Sequence, residues 1–512
     1  MKHKSILILD FGSQYNQLIA RRIREMGVYA ELLPYDIPLE EILAHSPRGI
    51  ILSGGPSSIN EENACILSQN LFKQGIPVLG ICYGMQLIAH VFKGEVSRGR
   101  QAEYGPVDFI VDDPQSPLLK GLPEKSNVWM SHFDEVNHVP GNFNVIGHTA
   151  VCSAALANEH DKIYAVQFHP EVAHTTYGGE ILQNFIFAIC HCEKNWKIGD
   201  FSQTAIEQIR TKVGNKKVVL GLSGGVDSSV AAVLIHRAIG EKLSCIFVDT
   251  GLLRKDEAQK VMDTYGKHFH MDIHMIDASK RFLSALAGIS DPETKRKIIG
   301  KEFVEIFNEE AVKIKGVEFL AQGTIYPDVI ESISVKGPSS TIKSHHNVGG
   351  LPEKMSLQLI EPLRDLFKDE VRKLGMSLGI PKEMVYRHPF PGPGLAVRIL
   401  GEITQEKLNI LQQADQIFIY ELQAHELYDQ LGQAFVVLLP VKSVGVMGDE
   451  RTYAYTAVLR SVDTSDFMTA RWSYLPYEFL EKVSSRILNE VEGINRLTYD
   501  ISPKPPATIE WE

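Results

Sequence analysis

From Lys4 to about Lys194, apolar positions alternate between two patterns. Short β-branched runs at Ser5–Leu9, Gly49–Leu52 and Pro77–Ile81 read as buried strands, while Gln17–Met26 sets Leu18, Ile19, Ile23 and Met26 at helical spacing. That alternation predicts an α/β unit. His191–Gly199, polar apart from Trp196, reads as a linker. The pattern resumes with a strand at Lys217–Leu222, a helix from Ser228 and a strand at Ser244–Asp249, a βαβ unit within about thirty residues. His388-Pro-Phe-Pro-Gly-Pro-Gly394 cannot be regular helix or central strand, because proline removes donors and fixes φ, and it marks a boundary. Beyond it the pattern predicts a helix over Gln405–Leu431, strands over Ala434–Val441 and Tyr453–Val462, a helix over Tyr477–Val491 and a strand over Arg496–Ile501, an α+β unit. The resulting division is 1–195, 196–386 and 387–512.

Composition adds exclusions. A chain of 512 residues is too long for one small core, and 44% apolar with 22% charged residues fits neither disorder nor a fibrous repeat. A net charge of −11 argues against a generic nucleic-acid binder, which needs a positive footprint. The start, Met1-Lys2-His3-Lys4-Ser5, leads straight into a strand-like run with no signal or membrane-spanning stretch, so the cytosol is the expected address and no membrane partner is expected. Six cysteines without a C-x-x-C pair suit reduced thiols. His268, His270 and His274 lack a third ligand type and are not read as a metal site.

One thiol has a reactive context. Gly80-Ile-Cys82-Tyr-Gly84 follows an apolar strand and precedes a helical stretch, Met85–Val91. Small residues permit a sharp turn, and the sulfur is left at the positive end of a helix dipole, which favours thiolate. Ala165-Val-Gln-Phe-His169-Pro-Glu171 supplies a base at the end of another strand, with a carboxylate to hold its tautomer. Ser53-Gly54-Gly55-Pro56 follows a third strand and can expose backbone N–H groups to an oxyanion. Together these motifs resemble the class I glutamine amidotransferases. The resemblance implies that Cys82 attacks the glutamine side-chain amide, His169 shuttles protons, Glu171 orients His169, Gly55 and Tyr83 give the oxyanion amides, and Gln86 lies near the substrate. Phe133, in Ser131-His-Phe-Asp134, stands where similar enzymes usually have glycine, on the rim of the glutamine pocket.

Ser223-Gly224-Gly225-Val226-Asp227-Ser228-Ser229 lies between a strand and a helix. Its glycines let backbone N–H groups approach phosphate, and its hydroxyls and helix N-terminus add donors. The Walker lysine and the dinucleotide glycine pattern are both missing. Asp227 offers a carboxylate for Mg²⁺ beside bound phosphates. The segment resembles the loop of the N-type ATP pyrophosphatases, implying an adenine-nucleotide α-hydrolase-like doubly wound sheet and adenylylation of a second substrate.

Several later motifs are similar to those of the glutamine-hydrolysing GMP synthase family: Asp291–Gly300, Gln322–Asp328 with Glu331, Ile342–Asn347, Arg387–Leu395 and Lys504–Glu512. That resemblance covers essentially the full chain. It implies xanthosine 5′-monophosphate (XMP), ATP and glutamine as substrates, Mg²⁺ with ATP, and a small α+β dimerisation domain at the end that makes a homodimer. It further implies XMP contacts from Arg296, Arg398, Gln433, Lys504, Thr508 and Glu510, and a mobile lid over Lys343–Asn347. Asp328, Glu331, Lys336, Asp365 and Lys368 are weaker candidates. Another ammonia-dependent adenylylating synthetase, such as an NAD synthetase, and a non-catalytic nucleotide-binding relative remain as alternatives.

Overall fold

A computed structural model describes residues 6–13, 15–62, 64–333, 357–447, 450–464, 467 and 469–512. The expected lid over Lys343–Asn347 and Lys336 lie outside the described residues. The chain forms two compact units. The first takes in the described residues of Met1–Phe201 and Val329–Ile342, the second those of Ser202–Asp328 and Lys343–Glu512.

The first unit is built on nine strands: β1 (Ile6–Asp10), β2 (Ala30–Pro34), β3 (Gly49–Leu52), β4 (Val78–Ile81), β5 (Glu95–Val111), β6 (Lys125–His138), β7 (Asn144–His148), β8 (Ser153–Asn158) and β9 (Ile163–Val166). They lie in the order β2-β1-β3-β4-β9-β8-β7-β5-β6. Strands β2, β1, β3, β4 and β9 run parallel. Ile6 to Leu9, Ile50 to Leu52 and Val78 to Leu79 are all fully buried, as parallel strands covered on both faces require. The remaining strands pair antiparallel, which no apolar run in the sequence announced because β5 and β6 alternate buried and open positions. In the segment read as a linker, Trp196 is buried. It packs 4.9 Å from the Tyr29 ring, and its backbone N–H donates to the Gly27 carbonyl at 2.9 Å.

The second unit carries a sheet of five parallel strands: β10 (Lys217–Gly221), β11 (Leu243–Asp249), β12 (Asp272–Asp277), β13 (Val317–Ala321) and β14 (Gln358–Ile360), in the order β12-β11-β10-β13-β14. The chain winds outward from β10 in one direction, then returns to β10 and winds outward in the other. The loop after β10 therefore sits at the topological switch point, where open parallel sheets bind ligands. The helix after that loop runs Val226–Ile239, starting earlier than the apolar periodicity alone indicates, because Gly225 caps it in an extended conformation.

A second, mostly antiparallel sheet follows, from β15 (Gln433–Met447), β16 (Glu450–Asp463) and β17 (Arg471–Trp472), with β18 (Ile494–Asp500) parallel to β16. β15 runs past the expected end at Val441, since a register shift between Leu438 and Lys442 absorbs Pro440. The helix expected over Gln405–Leu431 stops at Ala424, where Glu426 turns left-handed at φ 56°. One hydrophobic core joins Val219, Ile246, Phe282 and Phe307 to Phe418, Val436, Leu459 and Phe479, so residues on both sides of 386/387 share it. Phe418→Ala, about 3–5 kcal/mol for a fully buried aromatic, is accordingly expected to lower one cooperative transition of the whole second unit by calorimetry. A separate early melt confined to residues after 387 would contradict the shared core.

Candidate active sites

In the first unit, parallel pairing delivers three loops to one edge of the sheet. β3 ends in Ser53-Gly54-Gly55, β4 in Cys82 and β9 in Gln167-Phe168-His169; β3 pairs with β4, and β4 with β9. Neighbouring strands stand roughly 4.8 Å apart, so these ends fall within side-chain reach. Cys82 sits at φ 53°, a left-handed conformation for a residue with a Cβ, and caps the helix Tyr83–Val91. Such strain is of the kind that collects at nucleophile elbows. The flanking glycines are sterically required: a Cβ on Gly80 would come 2.5 Å from the Gly84 carbonyl oxygen, and one on Gly84 would come 2.4 Å from that of Leu52.

Close to the sulfur, His169 donates through Nδ1 to Glu171 Oε1 at 2.8 Å. His169 is 4% exposed and Glu171 1%. Burial alone would lower the imidazole pKa, yet the Glu171 carboxylate and Cys82 together raise it to about 11. The pair is therefore poised as imidazolium beside sulfur. Gln167 Nε2 lies 3.7 Å and the Ser131 carbonyl oxygen 3.8 Å from Cys82 Sγ. Gly54 lies between Cys82 and His169, where a Cβ would sit 3.1 Å from His169 Cε1 and 3.6 Å from Cys82 Cβ. Gly55 lies against the Tyr83 ring, and the Tyr83 and Gly84 N–H groups, in the first helical turn, lack intrahelical acceptors. Gln86 is buried and donates to the Asp134 carbonyl at 2.9 Å, which ties the helix Tyr83–Val91 to β6. Phe133 packs under the Arg98 guanidinium at 4.1 Å.

Behind β6, Glu103 Oε2 accepts from His132 Nε2 at 3.1 Å, Thr149 Oγ1 at 3.2 Å and Cys152 Sγ at 3.3 Å. Among the described residues, Glu103, His132 and Cys152 are the grouping whose ligand atoms come close enough to share a cation. Burial, together with the Glu103 charge, raises the Cys152 thiol to about 12, so it serves as a donor there and leaves the carboxylate satisfied. All six cysteines are free thiols.

In the second unit, Ser223 Oγ and Ser228 Oγ lie 2.9 Å apart and the Ser223 N–H donates to Ser228 Oγ at 3.2 Å, drawing the loop into a closed cup. Asp227 is in the first helical turn, where the N–H groups of Val226, Asp227 and Ser228 precede the first intrahelical bond, Ser229 N–H to the Gly225 carbonyl at 3.1 Å. Gly323, after β13, closes the side of the cup, since a Cβ there would be 2.9 Å from the Ser228 nitrogen. Lys368 Nζ bridges both Asp227 oxygens at 2.8 and 2.6 Å. Asp328 Oδ2 accepts the Ile325 N–H at 3.0 Å, a local helix-start role.

The chain end is anchored in the same unit. Arg398, fully buried, donates to both Glu510 oxygens at 3.1 and 2.8 Å and stacks 4.1 Å from Phe435. Gln433 donates to Glu510 Oε1 at 2.7 Å. Arg398, Gln433 and Glu510 thus meet at one point, where Arg398 Nη1 is buried with no hydrogen-bond partner among the described residues. Arg296 donates to the Glu512 carbonyl at 2.5 Å, Lys504 Nζ to the Phe467 carbonyl at 2.6 Å, and Thr508 Oγ1 to the Glu510 carbonyl.

Comparisons with known proteins cover every part of this arrangement. Residues 7–189 match the family "Glutamine amidotransferase class-I", 200–297 "NAD synthase" and 420–511 "GMP synthase C terminal domain". A protein of Fusobacterium nucleatum subsp. nucleatum named "GMP synthase [glutamine-hydrolyzing]" is 65% identical over 512 residues, covering 100% of both chains. The chain belongs to the glutamine-hydrolysing GMP synthase family. Proteins of the same name from Spiroplasma kunkelii, 61% identical over 99% of both chains, and Borreliella burgdorferi, 58% identical over 100% of both, agree. The NAD synthase match spans the β10 loop, β11 and β12, which explains why that loop alone left an NAD synthetase open; membership of the GMP synthase family rests on the full length.

Other residues of this GMP synthase family member escaped the sequence reading. Lys295 is fully buried, donating to the Ile399 carbonyl at 2.8 Å and pairing with Glu512; burial lowers its pKa. Arg460, also fully buried, holds the tail through the Ser502 and Thr508 carbonyls at 2.7 and 3.0 Å. The signal for Arg460 was a cation in the otherwise apolar run Ala457–Val462, whereas Lys295, between Thr294 and Arg296 in a polar run, gave none. Glu171→Gln removes the charge that raises His169. Because a raised imidazolium is present below its folded pKa and lost above it, the alkaline limb of kcat/KM for glutamine hydrolysis should move to lower pH, toward the ordinary histidine range near 6.5. An unmoved limb would show that Glu171 does not set the protonation of His169.

Proposed function

We propose that the chain makes GMP in two coupled steps, with ATP, XMP, glutamine and water giving AMP, pyrophosphate, GMP and glutamate. The observation that carries the first step is Cys82 on a strained elbow with His169, held by Glu171, on the other side of Gly54. Cys82 sulfur attacks the glutamine carboxamide carbon, and the N–H groups of Gly55 and Tyr83 receive the oxyanion, each donor worth ~2.7–4 kcal/mol. His169 protonates the departing nitrogen, the C–N bond breaks, and a glutamyl thioester remains. Water, deprotonated by His169, then releases glutamate and restores the thiol.

For the second step, the cup of Ser223 to Ser229 receives the ATP phosphates on backbone N–H groups and hydroxyls. The XMP C2 oxygen attacks the α-phosphorus, pyrophosphate leaves, and ammonia displaces AMP from C2. Arg398, Gln433 and Glu510, with Arg296, Lys504 and Thr508, are the proposed XMP contacts; Arg398 Nη1 supports that reading, being a buried donor without an acceptor among the described residues. Mg²⁺ fits the hard oxygen donors of Asp227 and the loop hydroxyls, and when bound it would offset the charge gathering on pyrophosphate. Lys368, with three donors, can hold Asp227 and a phosphate oxygen together.

Cys82→Ala is expected to abolish glutamine-dependent GMP formation while keeping most of the ammonium-dependent rate; loss of both would contradict the division between units. Asp227→Ala is expected to lose pyrophosphate release with either nitrogen source by at least a hundredfold, and an unchanged rate would remove the loop from the ATP site.

A homodimer through the C-terminal part is supported by an apolar ribbon on β15 and β16, where Val441, Val444, Val446 and Tyr453 are 60, 50, 74 and 66% exposed. Val444→Asp with Val446→Asp is expected to shift sedimentation from dimer to monomer. A wild-type monomer, or a variant that stays dimeric, would overturn that assignment. Among the described residues no helix is long and apolar enough to cross a membrane, and a cytosolic address is part of the same proposal.

A further inference from the structure

The Arg387–Pro393 segment was notable in the sequence for its prolines, yet its first residue reaches back to the phosphate loop. Arg387 Nη1 donates to the Gly224 carbonyl at 2.8 Å, and Nη2 pairs with Glu257 Oε1 at 2.5 Å. Glu257 Oε2 in turn accepts the Arg254 N–H at 3.1 Å. The two side chains are 14% and 9% exposed, so the bonds are largely sheltered from water, where an ion pair is strongly directional and costly to break from one side.

Gly224 is the residue on which the loop turns. It has φ +72°, and a Cβ there would come 3.2 Å from Val261 Cγ2 and 3.8 Å from Arg387 Nη1 and Glu257 Oε1. A peptide carbonyl facing an incoming phosphate would repel it. The oxygen of this carbonyl is committed to Arg387. Glu257 neutralises the guanidinium, so the pair acts as a strut and not as a phosphate clamp.

We infer that Arg387 and Glu257 are positioning residues for the ATP step, holding the Gly224 peptide so that the loop presents donors to phosphate before ATP arrives. The inference rests on the reading of Ser223 to Ser229 as the ATP site. Preorganised donors act on affinity for the charged ligand, so the strut's loss should appear in the KM for ATP and spare XMP and glutamine.

The experiment measures pyrophosphate release by the full chain with ammonium as nitrogen source, varying ATP and XMP separately, alongside glutaminase activity. Arg387→Ala is expected to raise the KM for ATP at least tenfold with the KM for XMP and the glutaminase rate within twofold of wild type. Glu257→Gln should shift the same constant less, and Arg387→Lys, which can still reach the Gly224 carbonyl, should recover part of the loss. Effects of Arg387→Ala and Glu257→Ala should overlap in the double variant. An unchanged KM for ATP in Arg387→Ala overturns the strut, as does a parallel loss of ATP, XMP and glutamine kinetics, which marks a merely structural role. If Arg387→Ala does not fold, Arg387→Lys and Glu257→Gln carry the same decision. Should wild type bind no ATP, or Ser228→Ala leave ATP kinetics untouched, the loop assignment itself fails, independently of Arg387.

Discussion

Parallel pairing of strands is the constraint on which both sites depend. When neighbouring strands run the same way, each chain must exit at the same edge, and whatever the sequence places just after a strand is gathered there. In the first unit that edge collects the ends of β3, β4 and β9; in the second, the loops after β10 and β13 face each other across a switch point. A one-residue slip in β4 would turn Cys82 away from His169, so the chemistry inherits its precision from hydrogen-bond register. Register is held by continuous apolar burial on both faces, and the glycines at 80 and 84 are the places where backbone must approach backbone.

Charge is handled by burial with a partner. His169, Arg398, Lys295 and Arg460 are all removed from water, and each is held by a carboxylate, by backbone carbonyls or by both. Removing one partner would leave the other stranded, which is why these groups can fix geometry as well as act. The contrast is Asp227, part-exposed and held by Lys368, an arrangement that can be rewired when phosphate arrives. Buried pairs position the proposed substrates' surroundings, and solvent-accessible pairs exchange partners.

Much of this was legible along the chain. The elbow at Cys82, the histidine after β9 and the loop after β10 are local patterns, in which a strand is followed at once by the residues that matter. Long-range pairing hid the rest. The Glu103–His132 contact spans 29 positions, Glu103–Cys152 49 and Glu257–Arg387 130, and nothing near either member of a pair names the other. The antiparallel half of the first sheet was missed because β6 mixes buried and open positions without a continuous apolar run. The division expected at 386/387 followed a proline-rich stretch, whereas the core is continuous across it, since the helix Gln405–Ala424 and Phe282 contribute to one apolar cluster.

The proposed chemistry of the second site turns on one bond, that between the XMP C2 oxygen and the α-phosphorus of ATP. The most direct measurement turns over XMP labelled with ¹⁸O at C2, with ATP and ammonium, and weighs the nucleotide products. AMP carrying one ¹⁸O in its phosphoryl group is the expected result. Unlabelled AMP, or ADP with the label in inorganic phosphate, would contradict attack at the α-phosphorus and with it the assignment of the second site.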